Sequence, residues 1–343
     1  MSEIKLKDIA EALDVSTVTV SNALSGKKGV SEELRGRIEN AARSMGYDFS
    51  RYERKEAGAT IGVIASHQYI EIGNSFYWAM YQQVICAAAK KQSVTMLEIL
   101  DMELQNTKEL PRILKERAVD GLIVIGWMFE PYIRNLVTVA EVPVVLLDFR
   151  VRGLACDSVM SGNFWGMYKA VRYLTERGHR DIAFVGSILA NENIMDRYYG
   201  YKKALMEAGI RERKEWILED RDLLTGQMKI MLPENMPTAF ACNGDWTAQW
   251  IYEALRERKY RIPQEVSIIG YDNYLPSHSF AQELTSYNVD MKRMSEVAVK
   301  RLLDKIQGKE KGYETRYIDS GIVERSSVKC LNIMKVQLRN VNR

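Results

Sequence analysis

The sequence is poor in the residues that build disulfide frameworks and metal sites. Its 343 residues include only four cysteines and three histidines. The cysteines lie at positions 86, 156, 242 and 330, and no two have the short spacing of a metal-binding or redox motif. We therefore expect free thiols, which suit a reducing cytosol, and we expect no metal site.

Long apolar runs are also missing. No stretch reaches the roughly 20 residues that cross a bilayer, and the N-terminus lacks the apolar centre of a signal peptide. We therefore predict a cytoplasmic protein without a membrane partner. Glycine-rich phosphate loops and nucleophile motifs are absent as well, so we predict no cofactor, no catalytic residue and no enzyme.

Neither charge is in large excess. Lys and Arg number 48 against 45 Asp and Glu, which gives a formal net charge of +3. Residues 1–58 contain ten basic and ten acidic residues. Because phosphate neutralisation dominates affinity for nucleic acid, such a segment would bind DNA modestly as a monomer and would rely on dimerisation.

The first clear pattern is KLKDIAEALDVSTVTVSNALSG, residues 5–26. One helical face recurs at three- and four-residue steps and consists of Leu6, Ile9, Ala10 and Leu13. Ser16 has the chemistry of an N-cap for a second helix, which would turn Val20 and Leu24 inward and end at Gly26. Two helices across so short a turn predict a helix-turn-helix.

A third helical run follows in SEELRGRIENAARSMGY, which Ser31 can cap. Three short helices ending near Tyr47 would form one small domain. The second helix of a helix-turn-helix can enter the major groove of DNA. From the pattern alone, an ordinary helical subdomain remains an equal alternative.

The same stretch resembles the N-terminal domain of the LacI/GalR family of bacterial transcription regulators. The resemblance covers L-x-D-I-A, V-S-x-x-T-V-S-x-x-L-x-G, V-S-x-x-x-R-x-R-I and a final G-Y. It implies a DNA-binding headpiece over residues 1–47 and a near-palindromic, double-stranded operator as partner.

The resemblance also implies roles for individual residues. Thr17, Val18 and Asn22 fall at base-reading positions, and the expected phosphate donors are Ser16, Ser21, Ser25 and Ser31. Basic residues expected near the duplex are Lys5, Lys27, Lys28, Arg35 and Arg37.

Asn22 replaces an Arg that is frequent in the family. Because Asn pairs with adenine and Arg with guanine, we expect a non-guanine preference there, unless Asn22 contacts only phosphate.

Residues 48–58, DFSRYERKEAG, form an atypical hinge. The family pattern Y-x-P-N-x-x-A-x-x-L folds on DNA and inserts a Leu into the minor groove. The Pro-Asn pair, the Ala and the Leu are missing here, and the segment is about three residues shorter. We favour a charged linker and weak operator bending, although Tyr52 could act as a substitute wedge.

From Ala59 onward, short apolar runs alternate with helical stretches, which predicts α/β architecture with doubly wound parallel sheets. The runs of the first series are ATIGVIAS, SVTMLEIL, GLIVIG and PVVLLD. A second series begins near Gly162 with helix 163–177 and continues with DIAFVGS, helix 194–208, AFACN, helix 245–258 and VSIIGYD. The pattern ends with LTSYNVD, a helix over 291–307 and late strands near 315–325.

Two such units resemble the periplasmic-binding-protein-like body of the same family. Residues 59–328 would form an effector-binding and dimerisation domain with lobe 1 over 59–160 and 290–322 and lobe 2 over 161–289. Residues 329–343 form a short basic tail without the leucine heptads of tetrameric members. A homodimer is therefore expected.

Ligands of open α/β sheets bind beyond the carboxyl ends of the strands. Strand ends supply Asp148, Phe149, Asp245 and Asp272 as candidates. The family pattern adds Phe76, Tyr77, Asn191, Asn193 and Arg197. Asp and Arg can form paired bonds to hydroxyl groups, and an aromatic ring can cover the apolar face of a pyranose. We therefore expect a sugar-like effector.

Two features leave alternatives open. Arg197 and Asp272 could pair only with each other, and Arg221 stands where an aromatic lid residue is common, so an acidic or phosphorylated ligand is possible.

The sequence predicts a ligand-responsive repressor of carbohydrate-utilisation genes. A sugar-binding module with weakened DNA binding and an α/β enzyme are the alternatives.

Overall fold

The computed structural model describes residues 4–24, 30–47, 58–67, 75–107, 109–223, 225–276 and 278–331. Four of the predicted features lie wholly or largely outside these ranges: Ser25, the basic pair Lys27 and Lys28, the hinge up to residue 57 and the tail beyond residue 331. The helices within these ranges are too short or too polar to span a membrane. The same ranges contain no group of His, Cys, Asp and Glu side chains that could hold a metal ion.

The N-terminal domain consists of three helices, α1 (Leu6–Leu13), α2 (Thr17–Leu24) and α3 (Glu32–Ser44). Its apolar core consists of Ile9, Ala10, Val20, Ala23, Leu24, Ile38 and Ala42. Every helix contributes to this core, because each presents apolar residues at helical spacing on one face. The predicted helix-turn-helix is therefore present.

Side-chain caps fix the ends of these helices. Ser16 Oγ accepts a hydrogen bond from Thr19 N at 3.0 Å, and Ser31 Oγ accepts one from Leu34 N at 3.3 Å. Both satisfy N–H groups that have no partner within the first turn of a helix.

Lobe 1 is a six-stranded parallel sheet in the order β11-β5-β4-β3-β1-β2. Its strands are β1 (Thr60–Ser66), β2 (Val94–Leu100), β3 (Gly121–Ile125), β4 (Val144–Leu147), β5 (Asp157–Ser161) and β11 (Thr315–Ile318). Its helices are α4 (Phe76–Ala89), α5 (Met102–Asn106), α6 (Arg112–Lys115), α7 (Glu130–Val139) and α11 (Met291–Ile306).

Lobe 2 repeats this order as β12-β10-β9-β8-β6-β7, with β12 antiparallel to β10. Its strands are β6 (Ile182–Val185), β7 (Ile217–Leu218), β8 (Ala239–Cys242), β9 (Ser267–Asp272), β10 (Thr285–Asn288) and β12 (Ile322–Val323). Its helices are α8 (Asn163–Glu176), α9 (Glu192–Glu207) and α10 (Asp245–Glu257), with short 3₁₀ turns at Lys214–Trp216 and Ser279–Gln282.

The chain crosses between the lobes three times, after β5, after β10 and between β11 and β12.

The sequence pattern missed β5, because Asp157–Ser161 carries two serines and an acid where the other core strands are apolar. The predicted lobe limits need one correction. β12 pairs with β10, so the chain is already back in lobe 2 at Ile322.

One continuous apolar cluster joins the two lobes. It packs α4 and α11 of lobe 1 with α8 and α9 of lobe 2 on the inner faces of both sheets. Two smaller clusters cover the outer faces, one in each lobe. The carboxyl end of β4 in lobe 1 lies against the start of α9 in lobe 2, where Asn193 bonds to Asp148.

Candidate DNA-reading helix and effector cleft

The outer face of α2 carries the predicted base-reading residues. Thr17 and Val18 are exposed, and Asn22 is half-buried. Val18 is 65% exposed although it is apolar, and the core of the domain is built without it. An apolar side chain left in water on a reading helix suits contact with a thymine methyl group.

The predicted phosphate donors surround this face. Ser16 and Ser31 are exposed at the starts of α2 and α3, and Ser21 is half-buried. As N-caps, Ser16 and Ser31 accept backbone N–H groups. A capping hydroxyl still has its own hydrogen to donate, so capping is compatible with phosphate contact.

Arg35 has a different role from the predicted one. Its Nη1 donates to the carbonyl oxygen of Ala23 at 2.7 Å, which links α3 to the last turn of α2. Carbonyl groups at a helix C-terminus carry partial negative charge. The contact therefore positions the reading helix within the domain, and the expectation that Arg35 serves the duplex is not supported by this geometry.

In the body, Asp148 lies directly after β4 and is 2% exposed. Its Oδ2 accepts a hydrogen bond from the Tyr77 hydroxyl at 3.1 Å. Asn193, from lobe 2, donates through Nδ2 to the Asp148 carbonyl oxygen at 2.8 Å. Three predicted effector residues, from α4, the end of β4 and α9, thus meet at one point between the lobes.

Arg197 lies beside this group on α9 and is 7% exposed. Its Nε donates to Asn163 Oδ1 at 2.8 Å, and its Nη1 donates to the Asn243 carbonyl oxygen at 2.5 Å. The guanidinium carbon lies 3.8 Å from the centre of the Tyr271 ring. These contacts fix the side chain in one orientation, as recognition of a planar or paired group requires.

Around Arg197, three buried polar atoms have no partner within the described part of the chain. They are Asp148 Oδ1, Asn163 Nδ2 and Tyr271 OH. Buried polar groups are nearly always hydrogen-bonded, and each of these residues is tied to Arg197 or faces it electrostatically. Three such atoms around one fixed arginine make this group a candidate ligand site.

Two strand ends at the cleft have unusual backbones. Asp148 has φ +66° and Asp272 has φ +110°, and Asn273 follows at φ +53°. Residues with a Cβ seldom adopt these values, and such strain is typical of functional sites. Asp272 Oδ1 lies 3.8 Å from Arg197 Nη1, so the sequence alternative of an Arg197–Asp272 pair is present as a loose contact.

Asp245 does not point into the cleft. Its Oδ1 accepts from Ser286 Oγ at 2.6 Å and its Oδ2 from Tyr274 N at 2.7 Å. A side chain on Gly270 would meet Asp245 Oδ1 at 2.1 Å, so the glycine leaves room for the carboxylate. The predicted ligand role of Asp245 is therefore not supported by its position; it holds the turn that carries Asp272.

Other predicted residues take supporting positions. Asn191 caps α9 through a bond from Ile194 N at 2.9 Å. Phe76 is half-buried and contacts the Tyr274 ring across the lobes, with centroids 6.1 Å apart. Phe149 packs in the outer apolar cluster of lobe 1 and lines part of the cleft mouth.

An ion cluster missed by the sequence analysis bridges the lobes. Glu192, the first residue of α9, accepts two bonds of 3.1 Å from Arg150 and one of 2.8 Å from Arg152. Both arginines belong to lobe 1. Together with the Asn193–Asp148 bond, these contacts join the two lobes across the cleft. Sequence patterns do not show pairs that are some 40 residues apart.

Arg221 is bonded to its neighbour. Its Nε and Nη2 donate to the two oxygens of Asp220 at 3.0 and 2.7 Å. Asp220 also accepts bonds from Asn243 and Thr247. Burial would raise the pKa of Asp220, but its bonds to Arg221 and these neighbours lower it overall. Arg221 therefore stabilises a buried acid, which weakens the argument for an anionic ligand.

Burial dominates the electrostatics of the cleft. It raises the pKa of Asp148 to about 6, although Arg197 and Tyr77 oppose the shift. It also raises the pKa of Asp272 well above its usual range. For Arg197, burial disfavours the charge, but Asp272, Tyr271 and Asp148 outweigh it and raise the pKa. The site therefore combines one cation with two acids whose ionised forms are disfavoured by burial.

Comparison with known proteins shows which families share this architecture. Residues 5–49 match the family model for bacterial regulatory proteins of the lacI family, and residues 171–328 match a periplasmic binding protein-like domain. The HTH-type transcriptional repressor PurR of Yersinia pestis bv. Antiqua (strain Antiqua) is 32% identical, over 94% of this chain and 96% of the relative. The chain belongs to the lacI family of bacterial regulatory proteins.

Two solved structures extend the likeness. A LacI family regulator from Enterococcus faecium with bound ribose is 26% identical, with a TM-score of 0.62 over 80% of this chain and 100% of the other. A lac repressor dimer bound to operator and the anti-inducer ONPF shares the fold at 21% identity, with a TM-score of 0.63 over 96% of this chain and 100% of the other.

This LacI-family chain is thus a DNA-binding transcriptional repressor with an effector-binding body. The predicted family and fold class are confirmed. Its relatives are repressors, which decides against the enzyme alternative. The sequence analysis missed Asn163 and Tyr271, and it could have found Asn163 had β5 been recognised, since that residue follows the strand end.

Proposed function

We propose that this repressor is controlled by a small polar effector bound between its lobes, in contact with Asp148, Asn163, Arg197 and Tyr271. The observation that supports this most directly is the set of three unpaired buried polar atoms around a fixed arginine. Leaving each atom unpaired costs roughly 1–3 kcal/mol, so a ligand that satisfies them gains that energy.

The chemistry of the site favours a sugar-like effector. Asp148 and Asp272 offer acceptor oxygens, Asn163 offers an amide donor and Arg197 a guanidinium. Hydroxyl groups donate and accept and can satisfy both kinds of group. Two acids face one cation here, and Arg221 pairs with Asp220, so a phosphorylated ligand fits less well. We propose that the regulated genes serve carbohydrate use.

Nucleobases and nucleosides are the second candidate class. The relatives at 32% identity are named PurR, and a base carries both donors and acceptors. The half-buried rings of Phe76 and Tyr77 near the cleft could cover a flat base as well as a sugar ring. The ribose in the Enterococcus faecium relative belongs to both candidate classes, since it is a sugar and a part of nucleosides.

Effector control would act through the angle between the lobes. We propose that each lobe moves as a body about the three chain crossings. A ligand that contacts both lobes favours the closed form by its difference in affinity for the two forms. That change would reach the headpieces through the dimer interface and alter their spacing.

The dimer interface is proposed on a face formed by the two edge strands. β2 and β7 occupy equivalent edges of the two sheets. Exposed apolar side chains lie at or near these edges: Ile85 on α4, which packs against β2, then Val94, Met96 and Ile99 on β2 itself and Leu223 and Met231 in the chain after β7. Apolar patches of this extent mark interaction sites, and a two-fold dimer would present two copies of α2 to two half-sites.

On DNA, we propose that Thr17, Val18 and Asn22 read bases and that Ser16, Ser21, Ser25 and Ser31 contact phosphates. The exposure of Val18 supports the reading face. A sugar-binding module without DNA binding is disfavoured, because the headpiece keeps a complete core and both caps.

The test combines a ligand screen with operator binding. A thermal-shift screen of monosaccharides, disaccharides, sugar phosphates, nucleobases and nucleosides identifies compounds that stabilise the full chain. Each hit is then added to a mobility-shift assay with fragments from upstream of the protein's own gene. We expect at least one hit to change operator affinity more than tenfold, and Arg197→Met to abolish both effects while still binding DNA.

Failure has two forms. If no fragment shifts with or without ligand, the repressor function is wrong. If fragments shift but the ligand response survives Arg197→Met, the cleft is not the effector site.

A further inference from the structure

The three chain crossings between the lobes are hydrogen-bonded to one another. Gly162, in the first crossing, donates its backbone N–H at 3.0 Å to the carbonyl oxygen of Ile318, where the third crossing starts. Asn288, at the start of the second crossing, donates its backbone N–H at 2.9 Å to the carbonyl oxygen of Gly321, where the third crossing ends. The third crossing therefore touches both others, and residues 319–320 lie between these two bonds.

Two side chains of lobe 2 hold this short segment. The Tyr287 hydroxyl, on β10, donates to Asp319 Oδ1 at 3.1 Å and accepts the backbone N–H of Ser320 at 2.8 Å. Lys169 Nζ, on α8, donates to both carboxylate oxygens of Asp319, at 2.7 and 2.6 Å, and to the carbonyl oxygen of Ser320 at 2.8 Å. The side chain and the backbone of the third crossing are thus both fixed to lobe 2.

The contact of Lys169 with the crossing is an ion pair. Burial would raise the pKa of Asp319, but its bonds from Lys169 and Tyr287 lower it overall. Asp319 is therefore an ionised carboxylate at neutral pH. Hydrogen bonds to an ionised group are roughly twice as strong as those between neutral groups, so this pair is a firm attachment of the crossing.

Tyr287 also connects the crossing to the group around Arg197. Tyr271 and Tyr287 are direct neighbours on the parallel strands β9 and β10, with ring centroids 4.8 Å apart. The guanidinium carbon of Arg197 lies 3.8 Å from the centre of the Tyr271 ring. Gly166 on α8 makes room for both rings, because a side chain there would meet them at 2.7 and 2.8 Å. Close-packed interiors transmit strain, so a displacement of Arg197 acts on Tyr287 through Tyr271.

We propose that Tyr287 and Lys169 are positioning residues that set the resting angle between the lobes through Asp319, and that Tyr271 and Tyr287 connect Arg197 to this hinge. The inference rests on the proposed function, in which the lobe angle governs operator affinity. Coupling between two sites is reciprocal. If the third crossing governs operator affinity, operator binding therefore alters the third crossing, and operator DNA alone is sufficient as a probe.

Hydrogen exchange of the full chain, with and without an operator fragment from upstream of its own gene, tests this reciprocal effect. Mass spectrometry follows the peptide that contains residues 319–321. In the wild type, we expect the operator to change the exchange rate of this peptide by at least about threefold. Tyr287→Phe removes the hydroxyl and keeps the ring, and it should abolish the response to operator. Faster exchange of the variant alone does not count, because its Ser320 N–H has lost an acceptor.

Mobility-shift assays with the same fragment test the ion pair. Lys169→Met should change operator affinity by at least about threefold, whereas Lys169→Arg should keep the wild-type affinity. Asp319→Asn should act in the same direction, and the double variant should show no larger effect than the stronger single variant, because the two residues act as one unit. Lys203→Met is the matched control. It also removes one positive charge from lobe 2, but the ion pair of Lys203 with Glu207 lies within α9.

Three results would overturn the inference. They are wild-type operator affinity in both Lys169→Met and Tyr287→Phe, exchange at residues 319–321 that ignores the operator, and an equal change of affinity in Lys203→Met and Lys169→Met. Failure of the proposed function looks different, because it is seen in the wild type itself, as operator binding that responds to no compound of the ligand screen.

Discussion

At the scale of single residues, Asp148 shows how burial shapes the proposed effector site. Folding raises its pKa from 3.8 to about 6, mainly through burial. The ionised form is therefore less stable in the fold than in the unfolded chain. Ionisation of Asp148 therefore lowers the free energy of unfolding. This loss is absent below pH 3.8, grows as the pH rises to about 6 and is constant above that pH, where it amounts to roughly 3 kcal/mol.

Asp148→Asn should remove this cost. Its amide oxygen can still accept the Tyr77 hydroxyl. We expect the variant to melt several degrees higher than the wild type at pH 7.5, with the difference vanishing near pH 4, and to lose effector binding. Scanning calorimetry across this pH range measures the difference in melting temperature, with Asp101→Asn as an exposed control. A difference that does not change with pH would contradict the assigned cause.

Asn22 carries a second residue-scale prediction. Asn pairs bidentately with adenine and Arg with guanine, so Asn22→Arg should move the preferred base at one position of each half-site toward guanine. Selection from a randomised operator library compares the two proteins. Identical preferences at every position would mean that Asn22 does not read a base.

At the scale of elements, the start of α9 joins the lobes. Glu192 begins this helix, where a negative charge suits the dipole, and it receives Arg150 and Arg152 from lobe 1. Glu192 is only partly exposed, so its charge pairs are less screened than surface pairs. The cluster should therefore favour the closed form.

Glu192→Gln should lower effector affinity by about 3- to 10-fold, because the variant no longer forms these charge-assisted bonds on closure, and such bonds are worth about 1 kcal/mol in this setting. Titration at low and high salt checks this, since the wild-type affinity should fall with salt more than that of the variant. Glu176→Gln, which loses an exposed ion pair to Arg172 within α8, is the control. Equal affinities for all three proteins would rule out a closing role.

At the scale of the whole molecule, DNA binding depends on pairing of two chains. The headpiece has little net charge, so two tethered headpieces are needed for useful affinity. Met96 lies exposed on the edge strand β2, within the proposed dimer face. Met96→Asp should give monomers in sedimentation velocity and about 100-fold weaker binding to a full operator.

Met206→Asp is the matched control for this prediction, because Met206 is exposed on α9 away from that face. It should remain dimeric and bind operator normally. A dimeric Met96→Asp protein, or a monomeric Met206→Asp protein, would place the interface elsewhere.

Operator bending is also a property of the whole molecule. The hinge lacks the family's wedge residues in sequence, so we predict a weak bend at the centre of the operator. Circular-permutation gels measure the bend angle. A strong central bend would show that another residue of the hinge, such as Tyr52, acts as the wedge.

The sequence alone determined the headpiece, the alternation of strands and helices and most strand ends, because these depend on local periodicity, caps and apolar runs. It placed Asp148 near a cleft for the same reason, whereas Asn193 and Arg197 were placed there by the resemblance to the family. Only the tertiary structure decided that Asp245 turns into lobe 2, that Arg221 neutralises Asp220 and that Asn163 and Tyr271 contact Arg197. Those outcomes depend on which side chains meet across distant segments, and a buried polar atom takes the partner that packing brings within reach.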